Sequence, residues 1–172
     1  NFYFNILPVA IDLKADNRTM PARVTQTPTF SWTFQDNNPN DLPQGVWIQV
    51  GSSPDNNDLW DWANAVYTLQ EKVYAGDTLV RGQTYYIRMI VRDSQLEWQN
   101  QDDPNFWTRG TFTVNQLPSV SNLLIENQVN PSLLETYAPT FEWGYFDPDG
   151  DEQVKCQIQV GTSESGNEMW DY

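Results

Sequence analysis

The stretch QTYYIRMIVRD, residues 83–93, alternates with a period of two: Tyr85, Ile87, Met89 and Val91 fall on one face, Tyr86, Arg88, Ile90 and Arg92 on the other. In an extended chain successive side chains point to opposite sides, so this pattern predicts a half-buried β-strand. GVWIQVG at 45–51 repeats it, with Val46, Ile48 and Val50 opposed to Trp47 and Gln49. TFSWTF at 29–34 gathers Phe30, Trp32 and Phe34, and GTFTV at 110–114 supplies Phe112 and Val114 as a closing strand. Between these runs lie DNNPND, SSPDNND and NQDDPN, in which Asn and Asp tolerate unusual backbone angles and Pro interrupts pairing. A long apolar pattern at helical spacing is absent, with room for at most one helical turn near 57–65. The expected fold class is all-β, built as immunoglobulin-like sandwiches of short strands.

The chain also repeats itself. Asn5, Leu7 and Pro8 recur as Asn115, Leu117 and Pro118, IQVG at 48–51 recurs at 158–161, and LWDW at 59–62 recurs as MWDY at 169–172, all at an offset of 110. PTFSW at 28–32 recurs as PTFEW at 139–143, one position out of step. A period of this length matches one sandwich of roughly 100 residues. Three segments are therefore expected: 1–5 as a closing strand resembling the end of a preceding module, or a donor strand; 6–115 as a complete sandwich; and 116–172 as the first half of a second. Cys156 aligns with Val46 and is expected to be buried.

With 9 basic and 23 acidic residues the net charge is −14, the wrong sign for binding a phosphate backbone. No run approaches the roughly 20 apolar residues of a membrane span. One Cys and no His exclude a disulfide framework, a zinc cluster and the usual His general base.

LVRGQTY at 79–85 looks like the Leu-x-Pro-x-Thr-x-Tyr signature of fibronectin type III domains, whose Tyr makes the tyrosine corner; Arg81 stands in place of the usual Pro. With PTFSW, Tyr74 and Gly76 of YAG, RMIVRD and FWTRGTFTV, the chain resembles fibronectin III-like repeats of archaeal and bacterial cell-surface proteins. A related pattern occurs in accessory domains of rhamnosidase-type glycoside hydrolases. The resemblance covers roughly 25–115, and 138–172 as half a second copy. It implies a sandwich without implying one activity.

FDPDGDEQ at 146–153 places Asp147, Asp149 and Asp151 around Gly150, where oxygen ligands could converge on calcium; an ordinary turn is the competing reading. The matching loop in the first module keeps Asp36 and Asp41 without the compact spacing and is the weaker metal candidate. Trp98, Phe106 and Trp107 precede the closing strand and could stack on a glycan, or pack at the sandwich edge. Trp32 and Trp143 are expected in the core. Asn17, Arg18 and Thr19 form a glycosylation sequon. Phe2, Tyr3 and Phe4 are the candidates for strand exchange. Carboxylate pairs such as Asp58 with Asp61 and Asp102 with Asp103 sit in polar turns, and no nucleophile elbow or phosphate loop accompanies them.

The leading expectation is thus a non-catalytic structural repeat of an extracellular filament, sheath or surface layer. Its ends would be completed by adjacent modules or by other copies of the protein. The alternative is a carbohydrate-binding or spacer module of a secreted, rhamnosidase-like glycoside hydrolase. Either places the chain outside the cell or on its surface, with glycans as possible ligands and calcium as the one conceivable cofactor.

Overall fold

A computed structural model of the chain describes residues 4–38, 40–100, 102–163 and 165–171. It is all-β, and its residues fall into two compact units, 1–115 and 116–172.

The first unit is a two-sheet sandwich. Its strands are β1 (Val9–Ala15), β2 (Arg18–Thr19), β3 (Ala22–Val24), β4 (Thr29–Gln35), β5 (Pro43–Gly51), β6 (Trp60–Asn64), β7 (Glu71–Val73), β8 (Thr84–Asp93) and β9 (Thr108–Val114). One sheet runs β2-β1-β4-β7 and the other β3-β9-β8-β5-β6. Every pairing is antiparallel except β3 with β9, which is parallel. The first strand region is therefore split between the sheets: β1 lies beside β4, and the chain turns through Asp16 and Asn17 (φ 49° and 62°) before β3 joins β9. The Asp16 carboxylate fixes this crossing by accepting the backbone N–H groups of Thr25 and Thr29, both at 2.9 Å.

The alternation read from the sequence decides the core. Val46, Ile48 and Val50 of β5 and Tyr85, Ile87, Met89 and Val91 of β8 all face inward and are buried, against Phe30 and Trp32 of β4 and Phe112 and Val114 of β9. Each fully buried Ile, Val or Phe contributes about 1.5–3 kcal/mol relative to exposure. The rings interlock, with Phe112 5.4 Å and Tyr74 6.5 Å from Phe30 between centroids. At the entrance to β8 the Val80 N–H donates to the Tyr85 hydroxyl at 2.9 Å, the geometry of a tyrosine corner. Gly82 has φ 77° there and donates to Val114 O at 2.7 Å. Arg81, in place of the Pro, donates to Asn115 O at 2.9 Å.

Residues 57–65 form no helical turn. Trp60 to Asn64 instead pair with Val50 to Val46 of β5, and Trp60, part of the buried core, stacks with Trp62, 6.0 Å apart and 13° from parallel. Among the described residues a single 3-10 turn occurs, at Pro104–Phe106.

The second unit holds the hairpin β10 (Ser119–Ile125) with β11 (Phe141–Phe146), and the short pair β12 (Gln159–Val160) with β13 (Trp170–Asp171). Residues 151–158 carry no strand, so Cys156 is exposed rather than buried as its alignment with Val46 led us to expect. Trp143 is half-buried and not enclosed like Trp32.

Phe2 and Tyr3 of the strand-exchange candidates, and most of the expected closing strand at 1–5, lie outside the described residues. Phe4 is 89% exposed and in no strand. Asn5 is tied down through its side chain, which donates to Asp93 Oδ2 at 3.0 Å.

Candidate functional site

One end of the first unit concentrates negative charge. β4 ends just before Asp36, the following loop carries Asp41, and β8 ends on Asp93; one carboxylate oxygen from each lies within 4.8 Å of the others. Asp93 is fully buried. Its Oδ1 accepts the Glu97 N–H at 2.9 Å, and its own N–H donates to Glu97 O at 3.0 Å, closing the turn after β8. Asp36 Oδ1 accepts the Asn38 N–H at 2.7 Å, while Asp36 Oδ2 is sealed from solvent with no hydrogen-bond partner among the described residues. Asp41 Oδ1 accepts Ser94 Oγ at 3.3 Å and Gln95 Nε2 at 3.2 Å. At an effective dielectric of about 20, two such charges at this spacing repel by roughly 3 kcal/mol. The donor set is oxygen only and is of the kind that suits a hard cation.

Spacing in the sequence pointed to Asp147, Asp149 and Asp151, whereas the ligating separation among the described residues occurs at Asp36, Asp41 and Asp93. In the 146–153 loop, Asp147 Oδ1 accepts the Asp149 N–H at 2.8 Å and Gly150, at φ 78°, closes the turn onto Asp147 O at 3.1 Å. Asp149 Oδ2 accepts the Gln116 N–H at 2.6 Å. Asp93 escaped the sequence reading because it lies 52 positions beyond Asp41; only the pairing of Pro43 with Asp93 brings the two loops together.

The aromatic candidates separate. Trp107 is 8% exposed, its ring 5.2 Å from Trp47 and 5.0 Å from the Arg88 guanidinium. Trp98 is half-buried with the Arg92 guanidinium 5.6 Å from its ring, and Phe106 is exposed. Around them the outer face of β5 and β8 is a hydrogen-bonded net. Trp47 Nε1 and Asn57 Nδ2 donate to Asp61, both at 2.6 Å, and Arg88 Nε donates to Gln49 Oε1 at 2.7 Å. The segment between β8 and β9 also closes the sandwich edge. Gln99 Oε1, from this segment, accepts the Ala10 N–H at 3.2 Å, and Thr108 Oγ1, at the start of β9, donates to Ala10 O at 2.5 Å, so both backbone groups of a β1 residue are satisfied by side chains.

Other groups are held structurally. Asp58 accepts both the N–H and the hydroxyl of Ser52, which lowers its pKa below the ordinary 3.8. Glu168 accepts the same pair of donors from Thr162 and is lowered to about 2. Burial, followed by the nearby Asp77 charge, pushes the Tyr74 hydroxyl up to about 12. Asn17 is exposed in the turn between β1 and β2. A cavity of about 340 Å³ beside β8 and β9 is lined by Met20, Pro21, Pro54, Tyr86 and Arg109. Among the described residues no helix is long and apolar enough to cross a membrane.

A family described as the Rha78A-like, N-terminal immunoglobulin domain matches residues 10–113. The chain belongs to this family. The match begins within β1 and ends within β9, so it coincides with the sandwich whose core is described above. The chain is also similar in structure to an alpha-L-rhamnosidase from Dictyoglumus thermophilum, at 23% identity and a TM-score of 0.56, covering 65% of this chain and 13% of that one. An alpha-L-rhamnosidase from Streptomyces avermitilis, complexed with L-rhamnose, aligns at 17% identity and a TM-score of 0.53, over 62% of this chain and 10% of that one. At these identities the likeness is one of fold, and the chain spans a small fraction of either enzyme. No curated protein matches the sequence.

These matches overturn the leading expectation of a repeat from an extracellular filament, sheath or surface layer. A period of 110 residues measures the size of a module, and an enzyme assembled from several sandwiches shows it as readily as a polymer does. The matching family is an immunoglobulin domain of rhamnosidase-like proteins, not a fibronectin III-like repeat of cell-surface filaments.

Proposed function

We propose that this chain is an accessory, non-catalytic module of a secreted glycoside hydrolase of the rhamnosidase type, serving to space and support the part that does the chemistry. The match of residues 10–113 to the Rha78A-like immunoglobulin domain carries the reading. A spacer role is favoured over sugar binding because Trp107 uses its ring against Trp47 and Arg88, leaving Phe106 as the exposed ring of the three.

The test is an assay of two proteins on an aryl α-L-rhamnoside: the 172-residue chain, and the native polypeptide that contains it. The expected result is no turnover by the chain, and turnover by a native polypeptide far heavier than 19.9 kDa. Turnover by the chain alone would overturn the non-catalytic assignment. A native polypeptide without glycosidase activity on any rhamnoside would overturn the association with hydrolysis.

A further inference from the structure

One end of the first unit holds more charge than its own residues neutralise. Asp36, Asp41 and Asp93 each offer a carboxylate oxygen within 4.8 Å of the other two. Oxygens bound at about 2.4 Å to a common calcium ion lie no more than about 4.8 Å apart, so the separation is that of ligands around one centre. Among the described residues, the ion pairs of Arg88 and Arg109 go to Asp55, and no Lys or Arg pairs with any of the three. Asp93 is wholly enclosed. A buried charge is ordinarily paired or bound to a metal, yet the donors on Asp93 are uncharged: the Glu97 N–H on Oδ1 at 2.9 Å and the Asn5 amide on Oδ2 at 3.0 Å.

Independently of the clustering, acceptors here lack donors. Asp36 Oδ2 is sealed from solvent and accepts no hydrogen bond among the described residues. The same is true of Gln44 Oε1, on the bulge between Gly45 and Pro43, the residue that faces Asp93. A sealed oxygen without a donor is costly, and a cation relieves that cost as a donor does. The neighbouring polar groups are already engaged in holding the carboxylates in place. Asn38 donates its N–H to Asp36 Oδ1 at 2.7 Å, and its side-chain amide donates to Asn5 Oδ1 and, at 2.9 Å, to Ile6 O. Ser94 and Gln95 hold Asp41 Oδ1. Asp41 is half-buried, which leaves its side of the cluster open to solvent.

We propose that Asp36, Asp41 and Asp93 bind one calcium ion, which fastens the loop after β4 and the turn after β8 to the segment that enters β1. Calcium takes six to eight oxygens in a flexible arrangement, so three carboxylates on loops, completed by water, suit it. Magnesium demands a near-ideal octahedron and is ordinarily held by one or two carboxylates. The ion's role is structural, and the inference concerns the first unit alone, independent of whether the chain serves a hydrolase.

The 172-residue chain, stripped with EDTA and dialysed free of metal, is titrated with calcium chloride by isothermal calorimetry in about 0.1 M potassium chloride. One site is expected, with a Kd no weaker than about 1 mM, the weak end for extracellular calcium modules. The urea midpoint should rise with calcium concentration, as for any ligand held by the folded state alone. Asp41→Asn should weaken binding at least about 10-fold, the loss that removing even an outer partner of a metal causes. Asp147→Asn, in the loop that sequence spacing favoured, should leave the titration as it is. Absence of both calcium heat and a midpoint shift would overturn the proposal. An equal midpoint rise with magnesium, or in Asp41→Asn, would assign the effect to screening of the −14 net charge and overturn it as well. Loss of binding in Asp147→Asn with retention in Asp41→Asn would move the ion to the second unit, against the proposal. Amide exchange locates the ion without any variant: calcium should slow the Asn38, Asp41 and Glu97 amides and leave those of 146–153 unchanged.

Discussion

The two units share a backbone plan and differ in what it encloses. Phe30 is fully buried and its counterpart Phe141 only half-buried; Trp60 is 8% exposed and Trp170 43%. Yet the hairpin register, the slip at Asp12 or Asn122, and the turns at Asp16 and Glu126 are the same in both, with each of those carboxylates accepting the N–H of Thr29 or Thr140. Local geometry is therefore written into short stretches of sequence, because turn chemistry and strand alternation act over a few residues. Burial is not, because a sandwich face is enclosed only by strands distant along the chain.

That contrast can be broken most directly at the paired phenylalanines. Phe30→Ala should destabilise the first unit by about 3–5 kcal/mol, the sum of lost transfer energy and a cavity under Phe112 and Tyr74. Phe141→Ala in the same 172-residue chain should cost less, about 1–2 kcal/mol, since its ring is only partly enclosed. Urea unfolding followed by circular dichroism measures both. Similar losses at the two sites would show that the second unit is already enclosed, and the difference in burial would lose its meaning.

A smaller effect is expected at Tyr85, on a strand that has no counterpart among the described residues of the second unit. Tyr85→Phe keeps the ring among Phe112 and its neighbours but leaves the Val80 N–H without its acceptor, a loss of about 1 kcal/mol. An unchanged urea midpoint would mean the corner is held by packing and by the Gly82 turn alone.

The same distinction governs how much was legible in the sequence. Alternation in 83–93 and 45–51 specified which side chains of β8 and β5 face the core, and the residues that recur at an offset of 110 fall in hairpins of matching register in the two units. LVRGQTY pointed to the hydrogen bond between Val80 and Tyr85 despite its Arg81. The parallel pairing of β3 with β9 was not legible, because Ala22 to Val24 is a three-residue strand whose partner lies some 90 positions away. The acidic cluster was half visible: Asp36 and Asp41 share a loop, but Asp93 belongs with them only through the β5–β8 register. The enclosure of Cys156 was misjudged on a sound alignment, since alignment conveys strand position without the strands that cover it.

If local geometry is independent of enclosure, a feature made within a few residues should behave alike in both units. The turn caps meet that condition. Ser52 donates its N–H and hydroxyl to Asp58, and Thr162 donates the same two groups to Glu168. Hydrogen bonds to a carboxylate favour its charged form, so both folded pKa values lie below the ordinary 3.8 for Asp and 4.5 for Glu, with Glu168 at about 2. A depressed pKa contributes stability above the unfolded value and loses it as pH falls through the folded one. For Glu168 the contribution is complete above pH 4.5 and is lost on descent to about pH 2. Carboxyl carbon shifts followed by NMR should show both groups titrating low, and Ser52→Ala or Thr162→Ala should return each toward its ordinary value without moving the other. If Asp58 titrates low and Glu168 does not, the cap needs the enclosed sandwich around it.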